Sequence, residues 1–278
     1  MKDLDKEVVR DAVRSRYAGI AETGNGTPGA GAALACGCGP TCCGPATPEM
    51  IADGDEISRS LGYTEEELAA VPEGANLGLG CGNPQAIAAL QPGEVVLDLG
   101  AGAGFDCFLA ARAVGPTGLS IGVDMTPEMV GRARANARKA GYTNVDFRLG
   151  EIEHLPVADG MVDVMISNCV INLSPDKPAV FREAFRVLRP GGRIAVSDVV
   201  ATADLPQEWI EDMQLLSACV SGAAKVGEVE AMLRDAGFVD IDIRPKEESK
   251  EFIRDWEPGH KLEDYVLSAS IQARKPAE

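Results

Sequence analysis

From Pro92-Gly93 onward the chain alternates short apolar runs with helix-like runs, and this alternation restricts its possible folds more than any other feature. The apolar runs fall at 95–99, 119–123, 145–149, 162–167 and 193–199, and helical patterns begin near 104 and cover 127–140 and 177–188. Strand, helix and strand in succession require right-handed crossovers, which produce a parallel sheet covered on both faces. The expected fold class is therefore α/β. Beyond residue 200 the pattern changes to a helical insertion at 206–218 carrying Cys219, a helix at 226–236, and two alternating runs at 239–243 and 265–273 suited to an antiparallel edge.

Ahead of this series, Val9, Val13 and Tyr17 recur every four residues and predict an amphipathic helix docked on the main domain. Residues 24–48 are rich in Gly, Pro, Thr and Cys with no period, a stretch unusually long for a free loop. Thr64 and Glu67 form a capping-box pattern at the start of a short helix. With 278 residues, 45% of them hydrophobic, the chain can bury one large core with appendages. A net charge of -17 would repel phosphate backbones and anionic lipid, so no nucleic-acid or membrane partner is expected. The first residues lack an apolar signal region and no run reaches membrane-spanning length, so the expected location is cytoplasmic. In reducing cytosol, eight cysteines point to metal, metalloid or redox chemistry rather than a disulfide framework.

Residues 95–104, Val-Val-Leu-Asp-Leu-Gly-Ala-Gly-Ala-Gly, form an apolar strand that ends in an acid and a loop of alternating glycines. Glycine there lets backbone approach a ligand closely, although such a loop alone serves equally as a plain tight turn. Two further features favour a nucleotide. Asp124 closes the second strand about 20 residues later, where an acid can accept two ribose hydroxyls, and Glu151-Ile152 follow the third strand on the adenine side. The Gly-x-Gly-x-Gly spacing, with Asp98 before it, resembles S-adenosylmethionine-dependent methyltransferases, as does the run from Phe185 to Gly192. That resemblance implies a Rossmann-like, seven-stranded, mostly parallel sheet with helices on both faces. The cofactor residues expected on this basis are Asp98, Gly100, Gly102, Gly104, Asp124, Met125, Glu151, Ile152 and Asn168.

Cys81 lies in a loop too glycine-rich to be core, Cys169 follows the fourth strand, and Cys219 follows the insertion helix. Cysteines at such positions suit a soft ligand beside the cofactor, whereas Cys107, one turn into a helix, reads as core packing. From cysteine number alone, zinc, redox sensing and packing all stay open. His154 and His260 fall in no two-histidine metal spacing.

The segments 76–84, Gly104-Phe105-Asp106-Cys107, Val123-Asp124-Met125-Thr126 and Ser167-Asn168-Cys169-Val170-Ile171-Asn172-Leu173 are similar to arsenite methyltransferases, as is the cysteine-rich N-terminal loop. The resemblance covers nearly the whole chain. It implies that Cys81, Cys169 and Cys219 hold trivalent arsenic, with S-adenosylmethionine as methyl donor and arsenite, then methylarsenite, as acceptors. It also implies a redox role for an N-terminal cysteine, with Cys42 and Cys43 the candidates, reset by thioredoxin or glutathione, in a monomer. One departure is Ala218, where other members carry glutamate before the third cysteine. The expected division is an N-terminal extension at 1–75, a cofactor-binding core at 76–200, and a segment at 201–278 completing the arsenic site and the sheet. The alternatives are a carbon methyltransferase for a quinone-like acceptor, with the cysteines merely packed, and a non-catalytic zinc- or metalloid-binding protein.

Overall fold

The computed structural model describes residues 6–23, 54–210, 212, 215–216, 219–257 and 260–278. Eight strands form one sheet: β1 (Val95–Leu99), β2 (Leu119–Asp124), β3 (Val145–Leu149), β4 (Val162–Asn168), β5 (Leu188–Ala201), β6 (Ala224–Lys225), β7 (Val239–Pro245) and β8 (Val266–Arg274). Seven of them run in the order β3-β2-β1-β4-β5-β8-β7, and the two-residue β6 pairs with β5. The pairs from β3 to β5 are parallel, while β8 lies antiparallel to both β5 and β7. The two late runs thus pair with one another as expected, and β8 also joins them to the parallel sheet.

The helices are α1 (Lys6–Thr23), α2 (Gly54–Ser60), α3 (Glu65–Ala70), α4 (Gln85–Ala88), α5 (Phe105–Val114), α6 (Pro127–Ala140), α7 (Lys177–Val187) and α8 (Gln207–Ile210), followed by a helix at Val226–Ala236 and a single turn at Lys250–Ile253. Both faces of the sheet are covered. On one face Leu97, Ile121, Met165 and Ile194 pack with Phe181 and Val187 of α7 and with Leu233. On the other, Val96, Val164 and Ile166 pack against Ala110 and Val114 of α5. This double burial is why the central strands read as continuous apolar runs rather than alternating ones.

The strand order reverses between β1 and β4, and the loops after their carboxyl ends diverge there. In an open α/β sheet this is where a ligand crevice forms. Helix α1 closes over the same rim. Its Val13 is buried among Cys81, Cys169 and Cys219, and Arg132 of α6 donates to the Ala21 carbonyl at 2.8 Å.

Candidate active site

A cavity of about 460 Å³ opens at this rim, within the range of small-molecule sites. One wall is the glycine loop after β1. The Gly100 and Ala101 amides both donate to the Val123 carbonyl, and the Gly102 amide donates to the Asp124 carboxylate at 3.0 Å. Asp124 also accepts from the Thr126 amide at 2.8 Å, so one side chain joins the loop to the start of α6. Gly102 takes φ +51°, and a Cβ placed there would find no atom closer than 4.0 Å, which leaves its backbone open to a ligand. Asp98, at the end of β1, is 3% exposed; burial and the nearby Asp106 hold its carboxyl well above the usual range.

The thiols converge at the other end. Cys81 and Cys169 place their sulfurs, with a carboxylate oxygen of Asp198, within 4.8 Å of one another. The Cys219 thiol donates to the Cys169 carbonyl at 2.8 Å. Asn168 holds the set together across sequence: its side-chain oxygen accepts from the Cys81 amide at 3.0 Å, and its amide nitrogen donates to the Gly82 carbonyl at 2.8 Å. Ser268 of β8 donates to the Cys81 carbonyl at 2.6 Å. Cys169 (φ 58°) and Cys219 (φ 64°) are two of only four non-glycine residues with positive φ among those described. Such backbone strain collects where function requires a particular side-chain direction. Hydrogen bonding with Cys219 and Cys81, then burial, pushes the Cys169 thiol well up, and burial raises Cys81. Both are therefore protonated at neutral pH.

Of the expected cofactor residues, Asp98, Gly100, Gly102, Asp124, Met125, Ile152 and Asn168 line the cavity, together with Cys169 and Cys219. Two do not. Glu151 turns toward α1, 3.3 Å from Arg10 and 3.8 Å from Arg14, and its neighbour Glu153 lines the cavity instead, 5% exposed and accepting from Ser174 at 2.6 Å. Gly104 starts α5 at φ +100°, where a Cβ would meet Phe108 at 2.7 Å, so its requirement is close packing. Cys107, on α5, is fully buried against Gly122 of β2 and among Ala101, Phe108 and Phe147, in the core position read for it. His260 packs edge-on against Trp209. Cys42 and Cys43 lie outside the described residues.

Sequence reasoning missed Tyr17, Tyr63, Asp106 and Asp198. Tyr17 and Asp106 line the cavity, and Tyr63 donates to Asp106 at 2.8 Å. Asp198 sits near the carboxyl end of β5, the kind of position that singled out Asp124 and Cys169, and could have been found by applying the same rule there.

A profile described as a methyltransferase domain matches residues 90–237. Together with the sheet and its glycine-loop cavity, this defines an S-adenosylmethionine-dependent methyltransferase. An arsenite methyltransferase of Halobacterium salinarum is 55% identical over 99% of this chain and 68% of that protein. A human arsenite methyltransferase is 39% identical over 51% of this chain and 40% of that protein. Among solved structures, an arsenic(III) S-adenosylmethionine methyltransferase from Chlamydomonas reinhardtii is 36% identical, with TM-score 0.58 over 79% of this chain and 73% of that one. The chain belongs to the arsenite methyltransferase family.

Proposed function

We propose that the protein methylates trivalent arsenic held by Cys81, Cys169 and Cys219. The observation that carries this reading is that Cys169 and Cys219 line the same cavity as the glycine-loop backbone, with the buried Cys81 sulfur packed directly behind Cys169. Residues 76–200 serve as the cofactor-binding core in this reading. Within segment 1–75, α1 covers the rim, and 201–278 contributes Cys219 and the strands flanking β5.

The cavity fits S-adenosylmethionine: the Gly102 backbone is uncovered, Asp98 and Asp124 provide carboxylates, and Ile152 gives an apolar surface. Met125, Glu153 and Asn168 complete the proposed cofactor set. When bound, the cofactor supplies an electrophilic methyl group on a positively charged sulfur. The protein's residues supply position. Three thiols exchange evenly with a neutral arsenic trihydroxide: three arsenic–oxygen bonds break, three arsenic–sulfur bonds form, and the thiol protons leave with the hydroxides as water. No net charge has to be buried in the exchange. Thiolate sulfur is a soft donor, which matches a soft acceptor centre. The arsenic keeps its lone pair, so no general base is needed and catalysis consists mainly of alignment. Methylation raises arsenic to the pentavalent state. Two cysteines then return it to trivalent by giving up two electrons and two protons as they close to a disulfide, one of them the N-terminal partner, Cys42 or Cys43. Thioredoxin or glutathione resets that disulfide by exchange. A monomer suffices for this scheme.

The test is incubation with arsenite, S-adenosylmethionine and a thiol reductant, with arsenic species identified by mass spectrometry. Methylated arsenic is expected from the unchanged protein and none from Cys169→Ser. Full methylation by that variant would defeat the ligand assignment, and a variant lacking the four loop cysteines that turned over repeatedly would defeat the redox role.

A further inference from the structure

Asp198 has no part in the arsenic chemistry above, yet its carboxylate lies within 4.8 Å of both the Cys81 and Cys169 sulfurs. Among the described residues this is the one group of three donors close enough to hold a metal ion. The carboxylate is 2% exposed and oriented by hydrogen bonds from Ile171, Asn172 and Val199. Its Oδ1 accepts from the Asn172 side chain at 2.9 Å and the Val199 amide at 2.7 Å, and its Oδ2 accepts from the Ile171 amide at 3.0 Å. The Cys219 sulfur falls outside this 4.8 Å group, although its thiol hydrogen-bonds at Cys169.

We propose that Cys81, Cys169 and Asp198 form a site for a thiophilic divalent cation, zinc or cadmium, which competes with arsenite because the two ligand sets share two sulfurs. Two sulfurs and one carboxylate oxygen around an exchangeable fourth position are a regular donor set for such ions. Trivalent arsenic, by contrast, takes three sulfurs and needs no carboxylate. Tetrahedral bonds of about 2.3 Å to sulfur and 2.0 Å to oxygen require donor separations of roughly 3.5–3.8 Å, which small side-chain rotations reach from the observed spacing. Charge also balances. Two thiolates and a carboxylate carry three negative charges and the cation two positive ones. Burial disfavours the charged form of Lys177, at the start of α7, while Asp198 and Cys219 favour it, so a bound site with one net negative charge would favour the ammonium there. On binding, two sulfur–hydrogen bonds give way to two sulfur–metal bonds and the protons pass to solvent. Orienting hydrogen bonds of the kind that fix Asp198 are what hold carboxylate ligands in metal sites. The site stands on its donors and does not depend on the identity of the methyl acceptor.

The experiment titrates cadmium into the reduced full chain with Cys36, Cys38, Cys42 and Cys43 replaced by serine, reading the ultraviolet sulfur-to-cadmium charge-transfer band. One equivalent should bind. Asp198→Asn should weaken binding by roughly tenfold or more, Cys81→Ser and Cys169→Ser should weaken it further, and Cys219→Ser should leave it unchanged. In case Asp198→Asn disturbs the Ile171–Asn172 turn, X-ray absorption on the zinc-loaded chain with Asp198 intact should show two sulfur neighbours and oxygen. A shell of three sulfurs, unaltered affinity in Asp198→Asn, or absence of binding would overturn the proposal. Cadmium should also raise the KM for arsenite without lowering kcat. If arsenite proves not to be a substrate, the direct titration still decides the cation site.

Discussion

Asn168 and Gly80 meet so closely that a Cβ at Gly80 would lie 2.7 Å from the Asn168 amide, at a backbone φ of +125°. Gly80→Ala should therefore displace Asn168, and with it the alignment of Cys81 on Cys169, for a cost of about 1–3 kcal/mol in stability. Thermal melting and arsenite titration of the variant check this, and binding should suffer even at temperatures where the fold persists. The cavity carboxylates make a separate prediction. Burial pushes Asp106 up to about 6 from an ordinary 3.8, so its contribution to stability is complete below pH 4 and is lost as pH rises through about 6. A shift of that size corresponds to something on the order of 3 kcal/mol. The difference in unfolding free energy between the unchanged protein and Asp106→Asn should accordingly fall by about that amount between pH 4 and 7, as measured by urea denaturation. A constant difference would mean that Asp106 ionises freely in its pocket. Individual residues were legible where chemistry and chain position coincide: Cys81, Cys169, Asp98 and Asp124. Glu151 and Glu153 are two residues apart in one loop and Arg10 of α1 pairs with both, so what separates them is the Arg14 contact to Glu151 and the Ser174 hydrogen bond to the buried Glu153.

At the scale of single elements, α3 illustrates a local rule acting unaided. Thr64 accepts from the Glu67 amide at 3.2 Å, and Glu67 accepts from the Thr64 amide at 2.7 Å. Thr64→Ala should cost about 1 kcal/mol of stability and leave methylation kinetics unchanged, since neither residue lines the catalytic cavity. Chemical denaturation with parallel activity assays checks both halves. Strands β1 and β3 and helix α6 match the expected spans, because each carries a full apolar period or a proline start and glycine stop. Helices α2 and α4, of 7 and 4 residues, are too short to show a period and were not foreseen. Strand β5 begins at Leu188 rather than 193, taking in the Pro190-Gly191-Gly192 turn signal, with a register shift against β4 between Val162 and Val164. In the 206–218 insertion, only Pro206, α8, Asp212 and the helical Leu215 and Leu216 fall among the described residues.

In the molecule as a whole, β8 lies between β5 and β7, with its register against β5 running from Arg193–Arg274 to Ala201–Val266. Ending the chain before Val266 should leave β5 an uncovered apolar edge and remove the Ser268 support under Cys81. The truncated protein should aggregate, as read by size-exclusion chromatography, rather than persist as an active core. No helix among the described residues is long and apolar enough to cross a membrane. The sequence by itself determined the α/β class, the glycine loop, its acids and the cysteines at loop ends, because strand periodicity and turn chemistry are local properties of neighbouring residues. Only the tertiary structure decided that Cys81, Cys169, Cys219 and Asp198 meet, that α1 closes their cavity, and that Glu153 rather than Glu151 faces into it. Those outcomes depend on contacts between residues far apart in the chain, such as Asn168 with Cys81 and Ser268 with Cys81, whose partners no local pattern specifies.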